Sequence, residues 1–151
     1  MKTIVIRTPE NRDYALSEVQ SLPADGSMMV KIKKVTHIRS TAQNALAWIW
    51  YKERGVETGN TPGYEHAFCK LHYGVPIMRQ DEEFRGAYDS VIKPLGYEEK
   101  LRFIEITQFP VTRLMDTARM AEYLDTIDRE SAQQGIRLSH PEDLFYEAMG
   151  K

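Results

Sequence analysis

The sequence predicts an α+β fold, with a small, mainly antiparallel sheet and several packed helices, in a single domain over residues 1–151. The length of 151 residues is typical of one domain. A hydrophobic content of 42% supports a buried core without disulfides. Three segments have the composition of strands, and segments with helical spacing lie between and after them.

The N-terminal part predicts two strands on either side of one helix. Residues 2–7 form a β-branched run that Pro9 should end. Residues 10–22 have helical spacing, and residues 23–26 (PADG) predict a turn. Residues 28–38 alternate between an apolar face and a cationic face, so we expect a strand there.

The middle of the chain predicts three helices. The first should begin at Ser40 or Thr41 and end near Arg54, with Gly55 as its stop. A second helix is expected over residues 64–73. A third, over residues 81–92, should bury a face formed by three residues. These residues are Phe84, Tyr88 and Val91.

The C-terminal third predicts one strand and two helices. Residues 101–109 resemble a strand that Pro110 closes. Residues 116–134 give the clearest helix, because an apolar stripe precedes Gly135 at the expected C-terminal position. The stripe consists of Met120, Tyr123, Leu124 and Ile127. A short helix over residues 141–149 ends the chain.

A helical wheel of residues 42–54 separates large aromatic side chains from the predicted core. The predicted core face contains Ala42, Ala45, Leu46 and Ile49. Trp48 and Tyr51 fall on the opposite face with Asn44, and Trp50 flanks the core. Exposed aromatic rings beside cations are suited to stacking on unpaired bases, at about 1–3 kcal/mol per base. Packing against another element or a second subunit is the competing interpretation.

Charge and composition narrow the possible partners. Residues 1–55 have a net charge of +4, whereas residues 56–151 have −6. Such asymmetry is a hint of polyanion binding, although it also arises by chance.

A single cysteine excludes an intrachain disulfide and fits a reducing compartment. We expect a cytoplasmic protein that does not enter a membrane, because the apolar runs are short and the N-terminus lacks a signal-peptide pattern.

The order of several motifs resembles the phage NinB (Orf) recombination proteins over about residues 30–140. Arg39-Ser40-x-x-Gln43-Asn44, with an aromatic residue at position 48, resembles the start of a helix in that family. Residues 64–70 fit the family's central helix. Phe103 to Gln108, Thr112-Arg113 and the segment from Met120 to Ile136 resemble its strand and long helix.

The resemblance implies a non-catalytic DNA-binding accessory factor of phage-type homologous recombination. Such proteins bind single-stranded or branched DNA, act beside the host single-strand-binding protein, and form homodimers. No cofactor is implied. A dimer could also bring two positively charged halves together into one binding groove.

The expected DNA-binding residues combine cations, amides and aromatic rings. They are Lys31, Lys33, Lys34, His37, Arg39, Gln43, Asn44, Trp48, Tyr51, Arg54 and Arg113. The cations should contact phosphates, and the amides can hold a base edge or cap the helix. The aromatic residues, with Trp50 as a further candidate, can stack on bases or support base extrusion from a duplex.

Two other functions remain open from the sequence. A protein adaptor could use Trp48 and Tyr51 to bind a partner such as the single-strand-binding protein. A metal-dependent nuclease could use His66, Cys69 and His72 with nearby carboxylates. On a helix the two histidines are about 120° apart and about 9 Å apart along the axis, which disfavours one shared ion. We therefore predict no metal site and an exposed Cys69. No enzymatic activity is expected, because the sequence lacks a glycine-rich phosphate loop, a G-x-S-x-G motif and a Cys/His pair with suitable spacing.

Overall fold

The structure is a computed structural model that describes residues 2–32 and 41–150. These residues form helices and connecting segments, and none of them belongs to a β-strand. The predicted α+β fold class is therefore wrong. The chain divides into two compact units, Met1–Thr36 and His37–Lys151.

The described part of the first unit contains one helix, α1 (Pro9–Gln20). Thr8 caps it by accepting a hydrogen bond from the backbone N–H of Asn11 at 3.2 Å. Pro9, which was predicted to end a strand, instead occupies the first helical turn, where its missing N–H costs little. Residues 2–7 form no strand. Residues 28–32 form none either, and the remainder of that predicted strand lies outside the described residues.

The described part of the second unit is a helical body. Its elements are α2 (Thr41–Thr58), α3 (Pro62–Cys69), a π-helical turn (Lys70–Gly74), α4 (Val75–Met78), α5 (Glu82–Val91), α6 (Tyr97–Thr107), a 3-10 turn (Thr112–Leu114), α7 (Thr117–Gln133) and α8 (Glu142–Met149). The helices predicted from α2 onward are thus confirmed, with α3, the π turn and α4 following one another without a break.

The segment predicted as a third strand, residues 101–109, instead contributes most of α6. The Glu99 side chain accepts from the backbone N–H of Gly96 at 3.1 Å and so stabilises the start of this helix. Leu101 and Ile104 are both buried, and their spacing of three residues is helical. α6 packs on α3, so tertiary burial outweighs the β-like local composition.

Helix α2 lies at the centre of the second unit, where α3, α7 and α8 pack against it. It continues past Gly55 to Thr58, so the predicted stop at Gly55 is wrong. Gly55 is instead where the following loop crosses the helix. A Cβ atom at this position would lie 2.6 Å from the carbonyl oxygen of Asn60. Glycine thus permits a close backbone approach.

The remaining helices bury amphipathic stripes. The predicted stripe of α7 is confirmed, because all four of its residues are at most 1% exposed. Asp116 caps α7 by accepting from the backbone N–H of Arg119 at 2.8 Å. In α5 Phe84 and Tyr88 are buried as predicted, but Val91 is exposed, which corrects its place on the core face. No helix within the described ranges is long and apolar enough to cross a membrane.

Candidate nucleic-acid interface

Trp48 is a partly exposed aromatic side chain that is held in place by two other rings. Its exposed fraction is 43%. Its indole makes edge contacts with the rings of Tyr51 and His66, at centroid distances of 5.2 and 4.8 Å. Tyr51 and His66 stack on each other at 4.6 Å. The indole is therefore supported from the protein side while part of its surface faces solvent.

Trp50 lies only two residues away but belongs to the core. Its exposed fraction is 0%, and its indole Nε1–H donates to the carbonyl oxygen of Ser139 at 2.7 Å. It is therefore not available to stack on a base without unfolding. The candidate stacking role of Trp50 is wrong.

Tyr51 is also buried, with an exposed fraction of 1%. Its hydroxyl lies 2.8 Å from the hydroxyl of Tyr123 on α7. The predicted placement of Tyr51 on an outer face with Trp48 is therefore wrong. Tyr51 instead supports the Trp48 indole from inside the protein.

The two amides predicted to touch DNA have different environments. Gln43 is fully buried, and its amide nitrogen donates to the carbonyl oxygens of Thr117 at 2.9 Å and Ala148 at 3.1 Å. It joins α2 to α7 and α8, which corrects its expected place at a DNA surface. Asn44 is half-buried.

Arg54 forms a buried ion pair and does not reach the surface. Its Nε lies 2.9 Å from Oε2 of Glu65, and both side chains are 2% exposed. Its Nη1 also donates to Oγ of Ser131 at 2.6 Å. Thr58 donates to the other carboxylate oxygen of Glu65 at 2.6 Å. The expectation that Arg54 contacts phosphate is therefore wrong for the folded chain, because this cation is already neutralised and enclosed.

The wheel failed for these residues because α2 is covered by three helices rather than one. The helical-wheel interpretation assumes that one side of the helix is buried. Helices that pack on α2 from several directions bury a wider arc of its surface. Ala47, Tyr51 and Arg54 are buried within this arc, whereas Ala45 is exposed and Ile49 half-buried. The polar members of the arc are accommodated by specific partners, which a wheel does not reveal.

The predicted phosphate-binding cations are only partly described. Lys31 is exposed in the first unit. Lys33, Lys34, His37 and Arg39 lie outside the described residues. Arg113 is exposed and donates from Nη2 to the carbonyl oxygen of Gln108 at 3.4 Å.

The histidine and cysteine side chains of residues 66–72 have separate surroundings. Cys69 is buried, so its predicted exposure is wrong, and burial raises the pKa of its thiol to about 12. Nε2 of His72 lies 2.9 Å from the Tyr97 hydroxyl. Burial, with a smaller effect from Arg54, lowers the pKa of His72. Within residues 2–32 and 41–150, no group of three His, Cys, Asp or Glu side chains could hold a metal ion.

No protein-family model, curated protein or solved structure matches this chain. The resemblance to the NinB recombination proteins therefore stays a prediction.

Sequence reasoning missed two contacts between α2 and α3, the Arg54–Glu65 ion pair and the ring contact of Trp48 with His66. The pairing of Arg54 with Glu65 spans a helix, a loop and the start of another helix, so no local spacing indicates it. The support of Trp48 by His66 crosses the same loop. The signal that could have pointed to both is the loop over residues 59–61, which is too short to let α3 leave α2.

Proposed function

We propose that this chain is a non-catalytic DNA-binding protein that holds single-stranded or partly unpaired DNA and assists phage-type homologous recombination. The observation that carries the proposal is Trp48, an indole with 43% exposure whose orientation is fixed by Tyr51 and His66. We propose further that the protein acts in the cytoplasm, as a homodimer, beside the host single-strand-binding protein.

A supported and exposed indole is suited to an unpaired base. Base stacking on an aromatic ring contributes about 1–3 kcal/mol per base, and it tolerates any sequence because every base has a π-face. Holding the indole in one orientation reduces the entropy that is lost when a base binds. The buried Tyr51 ring and the half-buried His66 ring behind Trp48 therefore favour a ligand-binding role over a merely tolerated surface residue.

The same indole supports the proposed action on partly unpaired DNA. An aromatic side chain can occupy the space that an extruded base leaves in a duplex, and this offsets part of the cost of unstacking. Trp48 is the residue of α2 that we propose for this role, because Trp50 and Tyr51 are enclosed by the core. Such an activity would also agree with the predicted resemblance to the NinB recombination proteins.

The test is binding of fluorescein-labelled oligo-dT, followed by anisotropy at low salt, for the wild type and Trp48→Ala. We expect the substitution to weaken binding about 5- to 150-fold, which corresponds to a stacking energy of about 1–3 kcal/mol. Tyr146→Ala is the matched control, because Tyr146 is an aromatic residue of α8 with a similar exposure of 49%. This control should bind like the wild type.

A second outcome would favour the adaptor function. Exposed tryptophans are also common anchors of protein interfaces. If the wild type does not bind oligo-dT but binds the single-strand-binding protein, and Trp48→Ala abolishes that interaction, the DNA-binding proposal is wrong and Trp48 is a protein anchor. Both variants should still unfold cooperatively, and Trp48→Ala should lose only about 1–2 kcal/mol of stability, because the indole makes ring contacts with Tyr51 and His66 but lies outside the buried core.

A further inference from the structure

We infer that Lys52 binds a phosphate of the strand whose base stacks on Trp48, so that α2 alone recognises one base together with a neighbouring phosphate. This inference rests on the proposed function and deepens it by naming a second ligand-binding residue. It also names the ligand class of this face, which is a single strand that offers an unstacked base and a phosphodiester.

Trp48 and Lys52 lie on the same exposed face of α2. They are four residues apart, which places them one turn apart, at about 6 Å along the helix axis and about 40° around it. Both are exposed, as is Ala45 on the preceding turn of that face. Because alanine is small, it leaves the approach to the indole open.

Lys52 is the cation that α2 offers to a ligand. The helix contains two cationic residues, and the other, Arg54, is 2% exposed and paired with Glu65. Among the residues that the structure describes, none forms an ion pair or hydrogen bond with the Lys52 ammonium group. A phosphate can therefore bind this charge without first breaking a contact between Lys52 and the described residues.

The acidic residues of α2 are turned away from this face. On a helix Glu53 and Glu57 lie about 100° and about 140° around the axis from Lys52. Glu53 is also engaged elsewhere, because its carboxylate accepts from the backbone N–H of Ser139 at 2.8 Å. Although the described residues 41–150 have eighteen acidic and twelve basic side chains, α2 thus presents a cation without an adjacent carboxylate beside the indole.

The experiment compares the salt dependence of oligo-dT binding for the wild type, Lys52→Gln and Lys52→Arg. Loss of one phosphate contact should reduce the slope of log affinity against log salt by about 0.7, which corresponds to about fivefold weaker binding at about 0.1 M salt. Lys52→Arg should restore the wild-type slope. Lys93→Gln is the charge-matched control, because Lys93 is an exposed lysine beyond the end of α5, and it should leave the slope unchanged.

Failure of this inference and failure of the proposed function give different results. If the wild type binds oligo-dT and Trp48→Ala weakens binding, but Lys52→Gln keeps the wild-type slope and affinity, then Lys52 does not contact the strand and the proposed function stands. If Lys93→Gln reduces the slope as much as Lys52→Gln, the effect is one of net charge and the inference is also overturned. If the wild type does not bind at low salt, both proposals are wrong.

Discussion

At the scale of single residues, the two tryptophans of this chain differ in solvent exposure although they lie only two positions apart. Trp48 keeps 43% of its surface exposed, and Trp50 keeps none. A separation of two residues turns the side chain by about 200° around a helix, so the two side chains lie on opposite sides of α2, and of the two only Trp50 falls within the arc that the packed helices bury. The exposed indole is the one that carries the proposed function.

Breaking the buried ion pair between Arg54 and Glu65 should cost more unfolding free energy than breaking an exposed ion pair. Arg54→Met should lower the free energy of unfolding by about 3–5 kcal/mol, because it leaves the Glu65 carboxylate buried without its cation. Arg79→Met is the control, since the Arg79–Asp89 pair is 37% and 30% exposed and should contribute about 0–1 kcal/mol. Guanidinium denaturation of both variants measures the difference. If Arg54→Met and Arg79→Met lost equal amounts of unfolding free energy, the buried pair would not be a principal stabilising contact.

The sequence could predict the exposure of Trp48 but not the burial of Tyr51 and Arg54. Trp48 faces solvent under any placement that directs Leu46 and Trp50 inward. Arg54 is buried because Glu65 and Ser131, from two other helices, satisfy its guanidinium group. Such a partner set exists only after the chain has folded, so local periodicity could not reveal it.

At the scale of elements, two helical glycines give a matched pair of predictions. Gly55→Ala should destabilise the protein by about 1–3 kcal/mol, because the new Cβ would lie 2.6 Å from the Asn60 carbonyl oxygen. Gly86→Ala in α5 meets nothing within 4 Å and should stabilise it by up to about 1 kcal/mol through better helix propensity. Thermal unfolding followed by circular dichroism tests both. A Gly55→Ala protein that melts above the wild type would contradict the close approach of the loop.

The sequence predicted best the helices that have an N-terminal capping residue and one regularly spaced row of apolar residues. Asp81 and Asp116 each cap a helix, and both helices bury regularly spaced apolar residues. α6 was missed because its residues combine β-branched and aromatic side chains that suit either structure. Its packing on α3 decides the outcome, and that contact is not local in the sequence.

At the scale of the whole molecule, the fold-class error has one main source. With residues 101–107 in a helix, the predicted sheet loses a strand, and the described parts of the other two predicted strands are unpaired. A strand without partners leaves its backbone hydrogen bonds unmade, so strand propensity alone cannot sustain a sheet. In the C-terminal two thirds, by contrast, the sequence predicted the positions of α3, α5, α7 and α8, although it missed α4 and α6.

The charge distribution of the whole chain sets the expected strength of binding. The described residues 41–150 have a net charge of −6, so under the proposed function α2 would attract DNA against an acidic background. We therefore expect weak affinity that falls steeply with salt.

The most direct measurement of the central claim is tryptophan fluorescence during titration with oligo-dT at low salt. Two tryptophans are present, and Trp50 is enclosed, so it serves as an internal reference while Trp48 reports contact. We predict saturable quenching in the wild type that is absent in Trp48→Phe and reversed by added salt. Unchanged wild-type emission across the titration, or equal quenching in Trp48→Phe, would contradict the assignment of Trp48 as the base-stacking residue.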